Sequence, residues 1–284
     1  MGCATSWLMV NTLAVHRGGR ALLLAAGLTL GLCFAASAQP APTSAGPADP
    51  KLIEDLVAAS RILADHGLLD GWGHVSVRHD KDPNRFLMSR GLSAELVTAK
   101  DIIEFDLDSR PVDTHGLPMS ALFTERYIHG EIYKARPDVI AVVHTHAPSL
   151  IPFGDTKVPL RPMYHRSAFI AFGVPTFDIR ERAGMTDMLI RNAALGRYLA
   201  EALGDHPAVL MRGHGAAVTA PSLQRVVSRT IFLSLNATLQ ADAMRMNAPI
   251  TYLDLEEARL IEAREGHGLA RTWEGWKRKA MPKP

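Results

Sequence analysis

Two histidines separated by one residue, His144 and His146, have a spacing that could bind a metal ion. They follow the apolar, β-branched run 139–143, which predicts a buried strand. Because successive side chains of a strand point to opposite faces, both imidazoles should project from the same face at the end of that strand. Imidazole suits zinc, iron, copper or nickel. Two surface histidines at a strand end would show the same pattern, so the pair alone leaves both interpretations open.

A third histidine, His214, follows a second predicted strand. The apolar run 208–211 precedes it, and Gly213 and Gly215 stand on either side. Glycines allow the backbone to turn sharply and to approach another segment closely. Three protein ligands with one open position are typical of a catalytic zinc site rather than a structural one. The three histidines together therefore predict one divalent ion per chain.

A carboxylate upstream of the histidine pair could supply acid–base chemistry. Glu125 lies in a predicted helix over 122–135, four residues before His129 and on the same helix face. A carboxylate beside a cation can take up or deliver a proton, and its pKa follows the local charge and solvation. An exposed pair of residues four apart on a helix would show the same spacing, so the sequence pattern alone permits either role.

The elements that must position these residues alternate along the chain. Apolar residues at helical spacing predict helices, and short apolar runs bounded by Gly, Pro, Asn and Asp predict strands. The predicted helices cover 52–67, 122–135, 186–203, 221–246 and 253–265, and the predicted strands cover 74–78, 85–88, 102–107, 139–143, 173–177 and 208–211. Strands concentrated early, with helices among them, indicate a central sheet covered by helices on both faces.

The class II aldolase/adducin family has a central signature that resembles residues 125–146, ERYIHGEIYKARPDVIAVVHTH. That signature is a Glu, a helix ending in Arg-Pro-Asp and a strand ending in His-Thr-His. The Arg-Gly-His-Gly of 212–215 resembles the third-histidine motif of the same family, and the resemblance extends over residues 52–247. It implies an α/β fold of three α/β/α layers, in which a central, mainly antiparallel sheet is flanked by helices.

The same resemblance implies the composition of the site and of the assembly. It implies a divalent ion on His144, His146 and His214, with zinc expected and manganese, cobalt or iron as alternatives. It also implies that Glu125 takes part in acid–base catalysis. A homotetramer with active sites near the subunit contacts is the expected assembly.

Two further segments resemble substrate-binding loops of the family, and both depart from the family pattern. In 73–78, GHVSVR, a histidine replaces the asparagine of a Gly-Asn-x-Ser loop, and in 88–91 Met-Ser-Arg-Gly replaces Thr-Pro-Ser-Gly. Because sugar-phosphate enzymes of the family bind phosphate with both loops, these changes argue against a phosphorylated sugar. Arg90 could instead bind a carboxylate through two hydrogen bonds. The candidate substrate-binding residues are His74, Ser76, Ser89, Arg90 and Gly91.

A second catalytic candidate, His165, lies in the segment 164–169, YHRSAF. This segment and the loop at 73–78 are similar to the branch of the family that decarboxylates hydroxy-muconate or hydroxy-phthalate acids. A histidine packed behind the site would fit the same position, so the segment permits either role.

The predicted chemistry is cleavage of a carbon–carbon bond. Aldol cleavage and decarboxylation both leave an enolate, which a cation chelated by adjacent carbonyl and hydroxyl oxygens of the substrate would stabilise. We therefore predict a metal-dependent lyase, a decarboxylase or a retro-aldolase, acting on a small hydroxy- or oxo-carboxylic acid. The alternatives are a sugar-phosphate aldolase or epimerase, a metal hydrolase or hydratase, and a non-catalytic adducin-like interaction module.

Residues 1–38 have the composition of a secretory signal peptide. Basic residues within 16–20 precede the apolar run 21–34, and a small-residue cleavage site ends at Ala38. A membrane anchor is the alternative, but the apolar run is shorter than the roughly 20 residues that a spanning helix needs. We therefore expect export to the periplasm or out of the cell, with no stable membrane anchor after cleavage.

The remaining chain divides into a predicted flexible linker over 39–50, rich in Pro, Ala, Ser and Gly, and a single domain over 51–284 with a helical C-terminal tail. Both cysteines, Cys3 and Cys33, precede the cleavage site, so the mature chain would have no disulfide and no thiolate ligand. Cleavage removes two of the 31 basic side chains and leaves 29 basic against 29 acidic ones. This balance gives no electrostatic indication of a nucleic-acid or anionic-membrane partner, and the expected partner is a small-molecule substrate.

Overall fold

A seven-stranded sheet forms the centre of the computed structural model, which describes residues 40–264 and 268–281. The strands are β1 His74–Arg78, β2 Arg85–Ser89, β3 Ile102–Asp106, β4 Ala141–Thr145, β5 Thr176–Phe177, β6 Ala208–Met211 and β7 Gly215–Ala220. Their order in the sheet is β3-β2-β1-β4-β7-β6-β5, and neighbours are antiparallel except for β5 and β6. The prediction of a central, mainly antiparallel sheet is confirmed.

Helices lie on both faces of this sheet. They are α1 Pro50–Asp65, α2 Arg126–Ala135, α3 Ile151–Asp155, α4 Arg180–Ala183, α5 Ala193–Leu203, α6 Leu223–Arg245, α7 Leu255–Glu262 and α8 Leu269–Ala280. Strand side chains alternate between two apolar layers. Val143 of β4 packs in the layer that contains α1 and α6, and Val142 packs in the layer that contains α2 and α5. This arrangement confirms the predicted three-layer α/β/α class.

An arginine beneath the C-terminal end of α2 ties this helix to the sheet. Arg78 of β1 donates from its guanidinium to the carbonyl oxygens of Tyr133 (2.6 Å), Arg136 (3.0 Å) and Val139 (2.7 Å). Carbonyl groups at a helix end lack intrahelical partners, and a positive charge there also stabilises the helix dipole. Arg78 therefore holds the C-terminal end of α2 against β1, whereas Glu125 lies at the N-terminal end of the same helix.

Two helices begin four or more residues later than the sequence pattern predicts. The helix predicted over 122–135 begins at Arg126, which leaves Glu125 at the N-cap position. The helix predicted over 186–203 begins at Ala193, where the side chain of Asn192 accepts the backbone N–H of Leu195 at 3.0 Å and caps the helix. Residues before both helices are thereby free to contact each other.

Two elements have no clear signal in the sequence. β7 reads Gly-Ala-Ala-Val-Thr-Ala, a composition with low strand propensity, and it becomes a strand by pairing with β4 and β6. α8 follows a charged segment, and it is held in place because Trp273 is buried in the core shared with α1 and α6. Tertiary contacts rather than local propensity decide both elements.

The described part of the predicted flexible linker over 39–50 makes hydrogen bonds to the sheet. Ser44 Oγ donates to a carboxylate oxygen of Glu104 at 2.6 Å, and the backbone N–H of Ala45 donates to the other oxygen at 2.8 Å. Glu104 lies on β3, an edge strand of the sheet. The amino-acid composition of the segment 39–50 does not show that this side chain accepts its hydrogen bonds. The segment is therefore attached to the sheet edge.

The predicted signal peptide, residues 1–38, lies outside the described residues. The described residues from Pro40 onward form one compact unit. Within residues 40–264 and 268–281, no helix combines the length and apolar character that crossing a bilayer requires.

Candidate metal centre

Four side chains from three segments converge at one end of the central strands. They are Glu125, His144, His146 and His214, and one ligand atom of each lies within 4.8 Å of the others. Nε2 of His146 is 3.0 Å from Nε2 of His144 and 3.2 Å from Nε2 of His214. Oε2 of Glu125 is 3.4 Å from Nε2 of His144 and 3.3 Å from Nε2 of His214. The structure thus brings together the three predicted ligands and the predicted carboxylate.

The register of the sheet explains why His214 reaches the other histidines. β4 pairs with β7 so that Thr145 lies opposite Ala216, and the turn before β7 carries His214 to the end of β4. Gly215 has a φ of 153°, and a Cβ atom at this position would overlap the carbonyl oxygen of Thr145. Only glycine allows the two backbones to approach this closely.

The second nitrogen of each imidazole faces an oxygen atom. Nδ1 of His144 lies 3.2 Å from the carbonyl of Ala216, Nδ1 of His214 lies 3.3 Å from the carbonyl of Met188, and Nδ1 of His146 lies 3.1 Å from a carboxylate oxygen of Asp70. With Nδ1 donating to these oxygens, each ring would present its Nε2 lone pair to a metal ion. This is the usual arrangement around metal-binding histidines.

The cluster fits a divalent ion in charge and in spacing. Three imidazoles and one carboxylate suit zinc and the similar transition metals. A tetrahedral ion bound at about 2.0–2.1 Å separates its ligand atoms by about 3.3 Å, and the four ligand contacts given above span 3.0–3.4 Å. His144, His146, His214 and Glu125 are therefore the residues that could hold the ion.

Glu125 is a buried carboxylate in this cluster, and its side chain is not part of a surface pair with His129. Burial raises the pKa of Glu125, but the imidazoles of His144 and His214 lower it further, so that it lies well below its ordinary range. Oε1 accepts the backbone N–H of Ile190 at 2.8 Å, which turns Oε2 toward the histidines. The structure thus excludes the alternative of an exposed Glu125–His129 pair, because both residues are buried.

A cavity of about 440 Å³ opens beside the ligands. It is lined by Trp72, His74, Phe123, Thr124, Glu125, His146 and Leu189. Among the described residues, no lysine or arginine lines this cavity, and aromatic and aliphatic side chains make up much of its wall. The site therefore offers a largely apolar space next to the four ligand atoms.

Residues 54–241 match the family model described as Class II Aldolase and Adducin N-terminal domain, which is well over half of the chain. The chain belongs to the class II aldolase and adducin family.

Curated relatives of this family member include decarboxylases. Decarboxylase tropJ from Talaromyces stipitatus is 34% identical over 250 residues, which cover 80% of this chain and 92% of the relative. The 3,4-dihydroxyphthalate decarboxylase of Arthrobacter keyseri is 29% identical over 235 residues, which cover 79% of this chain and 90% of the relative. Among solved structures, an aldolase II superfamily protein from Pseudomonas syringae shares the fold, with a TM-score of 0.68 and 24% identity over 83% of this chain and 94% of that protein.

Two of the predicted substrate-binding residues of this class II aldolase family member belong to a buried polar chain. Nδ1 of His74 lies 2.7 Å from Nε2 of His129, Nδ1 of His129 lies 2.6 Å from Oγ of Ser76, and Oγ of Ser76 lies 2.7 Å from the hydroxyl of Tyr133. Burial lowers the pKa of His74 well below its ordinary value and lowers that of His129 to about 3, so both rings are neutral. His74 lines the cavity, whereas Ser76 is fully buried and orients His129.

The second predicted loop of this family member lies apart from the described cavity wall. Arg90 Nε donates to a carboxylate oxygen of Asp101 at 2.7 Å, and Gly91 donates its backbone N–H to the carbonyl of Ala121 at 2.8 Å. Ser89 is buried in β2 opposite Ile102. None of Ser89, Arg90 and Gly91 belongs to the metal cluster or lines the cavity beside it, and Asp101 already pairs with the guanidinium that was predicted to bind a carboxylate.

His165 also lies outside the cavity beside the ligands. It is exposed at the start of the turn 165–170 and lines a second cavity of about 500 Å³ near α6, α7 and α8. Its neighbours there include Tyr164, whose ring lies 4.7 Å from the His165 ring between centroids. His165 is not part of the ligand cluster of this chain, so the structure does not support its predicted catalytic role.

Several residues of the site have no functional signal in the sequence. Asp70, Trp72, Phe123 and Leu189 contact the ligands or line the cavity. The Asp70-Gly71 dipeptide indicates a turn, but the sequence does not show that this carboxylate faces His146. Such contacts join segments that are distant along the chain, so a pattern search within one segment does not find them.

Proposed function

We propose that this protein is a metal-dependent decarboxylase of a small hydroxy-substituted aromatic carboxylic acid. The observation that carries the proposal is the convergence of three histidine Nε2 atoms and the Glu125 carboxylate beside a largely apolar cavity. Zinc is the proposed ion, with manganese, cobalt or iron as alternatives. The similarity to a 3,4-dihydroxyphthalate decarboxylase supports both the reaction and the substrate class.

The ligand set defines what a bound ion would contribute. A divalent ion held by His144, His146 and His214 would act as a Lewis acid and stabilise negative charge on the oxygens of the substrate. The Nδ1 contacts to Ala216, Met188 and Asp70 keep the three rings oriented for this role.

Glu125 is the proposed proton carrier. In the reaction, the bond between the ring carbon and the carboxylate breaks, carbon dioxide leaves, and a proton adds to the same carbon. Ionised Glu125 accepts the proton of the substrate hydroxyl at Oε2 and delivers it to that carbon, while the resulting phenolate takes a proton from water. The hydrogen bond from Ile190 to Oε1 holds the carboxylate in the orientation that this transfer needs.

The cavity wall accounts for the proposed substrate class. Trp72 and Phe123 offer aromatic faces, and Leu189 adds an aliphatic surface, so a flat ring can bury apolar area there. The His74 ring is fixed by His129, which leaves its Nε2 for a polar group of the ligand. The absence of lysine and arginine from the described cavity wall disfavours a sugar phosphate.

Retro-aldol cleavage is the second candidate, because the same ligand cluster serves either bond cleavage. A hydrolase or hydratase is disfavoured by membership of this family, and a non-catalytic adducin-like module is disfavoured because all four ligand side chains are present and converge. The products separate the first two reactions: decarboxylation releases carbon dioxide, and retro-aldol cleavage releases an aldehyde.

A substrate screen tests the proposal. Purified protein loaded with Zn²⁺, Mn²⁺, Co²⁺ or Fe²⁺ is incubated with dihydroxyphthalates, hydroxybenzoates, hydroxy-muconates and sugar phosphates, and carbon dioxide, aldehydes and ring products are quantified. We expect carbon dioxide and decarboxylated product in equal amounts from a hydroxy acid. Cleavage of a sugar phosphate without carbon dioxide would replace the proposal with an aldolase.

We also propose that the chain is exported to the periplasm or out of the cell and that it assembles as a homotetramer. The charge and hydropathy order of residues 1–38 supports export. Exposed apolar side chains on α6, among them Leu235, Leu239 and Met244, support self-association. Fractionation of cells and light scattering of the purified protein test these two proposals.

A further inference from the structure

One carboxylate, Asp70, contacts both a candidate metal ligand and the turn that forms part of the cavity wall. Its Oδ1 accepts the backbone N–H groups of Trp72 at 2.8 Å and of Gly73 at 2.9 Å. Nδ1 of His146 lies 3.2 Å from Oδ1 and 3.1 Å from Oδ2 of the same side chain. Asp70 therefore joins the loop before β1 to the residue that follows β4.

The environment of His146 differs from that of the other two histidines. His144 and His214 each face a backbone carbonyl through Nδ1, whereas His146 faces a carboxylate. β4 ends at Thr145, so the hydrogen bonds of the strand do not extend to His146, and its side chain is partly exposed. Because a charged acceptor forms a stronger hydrogen bond than a neutral one, Asp70 has more influence on His146 than a carbonyl group would have.

The same carboxylate shapes the cavity. The backbone of Trp72 is held by Asp70, and the side chain of Trp72, which is 72% exposed, lines the cavity together with His146. Gly73 packs closely against the end of β4, because a Cβ atom there would lie 3.2 Å from the carbonyl oxygen of His144. The turn is thus held between Asp70 and the strand that carries two of the ligands.

We propose that Asp70 is a positioning residue that orients His146 for the metal ion and holds the Trp72 turn at the cavity. The inference rests on the metal centre of the proposed function. A carboxylate that orients a ligand histidine and raises its basicity strengthens metal binding, and its loss typically weakens affinity by about 10- to 100-fold.

Metal affinity provides the test, since it does not depend on knowing the substrate. Zn²⁺ affinity of the full chain is measured by competition with a chromogenic chelator for the wild type and for Asp70→Asn. The asparagine oxygen can still accept the N–H groups of the turn, but it carries no charge toward His146. We expect Asp70→Asn to bind one ion with an affinity about 10- to 100-fold below that of the wild type.

Asp113 offers a matched control. Its Oδ1 accepts the backbone N–H of His115 at 2.7 Å, and its Oδ2 lies 3.3 Å from Nδ1 of the same residue, so it also joins a turn to an imidazole. His115 does not belong to the ligand cluster. Asp113→Asn should therefore retain the Zn²⁺ affinity of the wild type.

Asp70→Ala separates the two parts of the proposal. This change removes the acceptor of the turn N–H groups as well as the charge. It should therefore weaken Zn²⁺ binding and also shift the tryptophan emission spectrum. The emission shift should be absent when the same change is made in a Trp72→Phe background. Asp70→Asn should leave emission unchanged. If Asp70→Asn fails to fold, Asp70→Ser is used, because its hydroxyl can accept the same backbone groups without charge.

The outcomes distinguish this inference from the proposed function. Zn²⁺ affinity of Asp70→Asn within twofold of the wild type would overturn the role of Asp70 and leave the metal centre standing. An unchanged emission spectrum in Asp70→Ala would overturn the role in holding Trp72. A wild-type chain that binds none of Zn²⁺, Mn²⁺, Co²⁺ and Fe²⁺ would overturn the metal centre and this inference together.

Discussion

Oε1 of Glu125 accepts the backbone N–H of Ile190 at 2.8 Å, although neither residue lies within a helix or a strand. The contact joins the segment before α2 to the segment before α5 and directs Oε2 toward His144 and His214. The two non-helical segments thus place the Glu125 carboxylate beside the histidines. The low pKa of Glu125 keeps this carboxylate ionised.

Glu125→Gln should lower turnover by about 10²–10⁴, because the amide cannot carry the proton. The three imidazoles remain, so the variant should still bind one ion per chain. Steady-state kinetics and elemental analysis measure the two properties. Glu201→Gln, on the exposed surface of α5, is the control and should retain full activity. Full activity of Glu125→Gln would contradict the proton-carrier role.

Replacement of His144, His146 or His214 by Ala should abolish stoichiometric metal binding in each case, because each change removes one of the three converging Nε2 atoms. Elemental analysis after dialysis against trace metal gives the stoichiometry. His115→Ala, at an exposed histidine outside the cluster, should keep one ion per chain. Unchanged metal content in all three variants would remove the site assignment.

Acidification should destabilise the metal-free protein partly through His129. Burial, with a smaller contribution from nearby His144, lowers the pKa of His129 to about 3, while an unfolded histidine titrates near about 6.5. Between these values the unfolded chain binds a proton that the folded chain does not, so stability rises with pH and is lost as the pH falls through this window.

Urea unfolding at several pH values measures this linkage. His129→Gln should reduce the number of protons taken up on unfolding near pH 5 by about one. His115→Gln, at an exposed histidine, should leave the uptake unchanged. Equal proton uptake by the wild type and His129→Gln would mean that His129 is already protonated in the folded chain.

Gly215→Ala should destabilise the fold by about 2 kcal/mol or more, since a methyl group cannot occupy the space taken by the carbonyl of Thr145. Metal binding should weaken in the same variant, because the turn that carries His214 must move. Gly275→Ala is the control: its Cβ would meet no atom within 4 Å, and alanine favours the helix α8. Thermal unfolding of both variants would show whether close backbone approach, rather than loss of any glycine, causes the effect.

Trp72→Ala should raise the KM for an aromatic hydroxy acid by about 2- to 12-fold, the loss expected for one aromatic contact of about 0.5–1.5 kcal/mol. Because Trp72 is exposed, the fold should be unaffected. Arg90→Met should change the KM by less than about threefold, since Asp101 already pairs with this guanidinium at 2.7 Å and a screened surface pair contributes little. A larger increase in KM for Arg90→Met than for Trp72→Ala would indicate that Arg90 binds the substrate.

The sequence by itself determined the three imidazoles and the elements that carry them. The alternation of side chains on a strand places His144 and His146 on one face, and the glycines beside His214 mark a close backbone approach. The bounds of β1 and β6 follow from short apolar runs between turn residues, and the observed strands are His74–Arg78 and Ala208–Met211. These features are local, so a single segment of sequence contains the information.

Only the tertiary structure decided which groups face these imidazoles. Asp70 lies beside His146, the carbonyl of Met188 lies beside His214, and Asp101 accepts a hydrogen bond from Arg90, which does not line the cavity. β7 also depends on its neighbours, because alanine and glycine form a strand there only when β4 and β6 supply the hydrogen bonds. The contacts of Asp70 and Met188 join residues that are 76 and 26 positions apart in the chain, so no local sequence pattern reveals them.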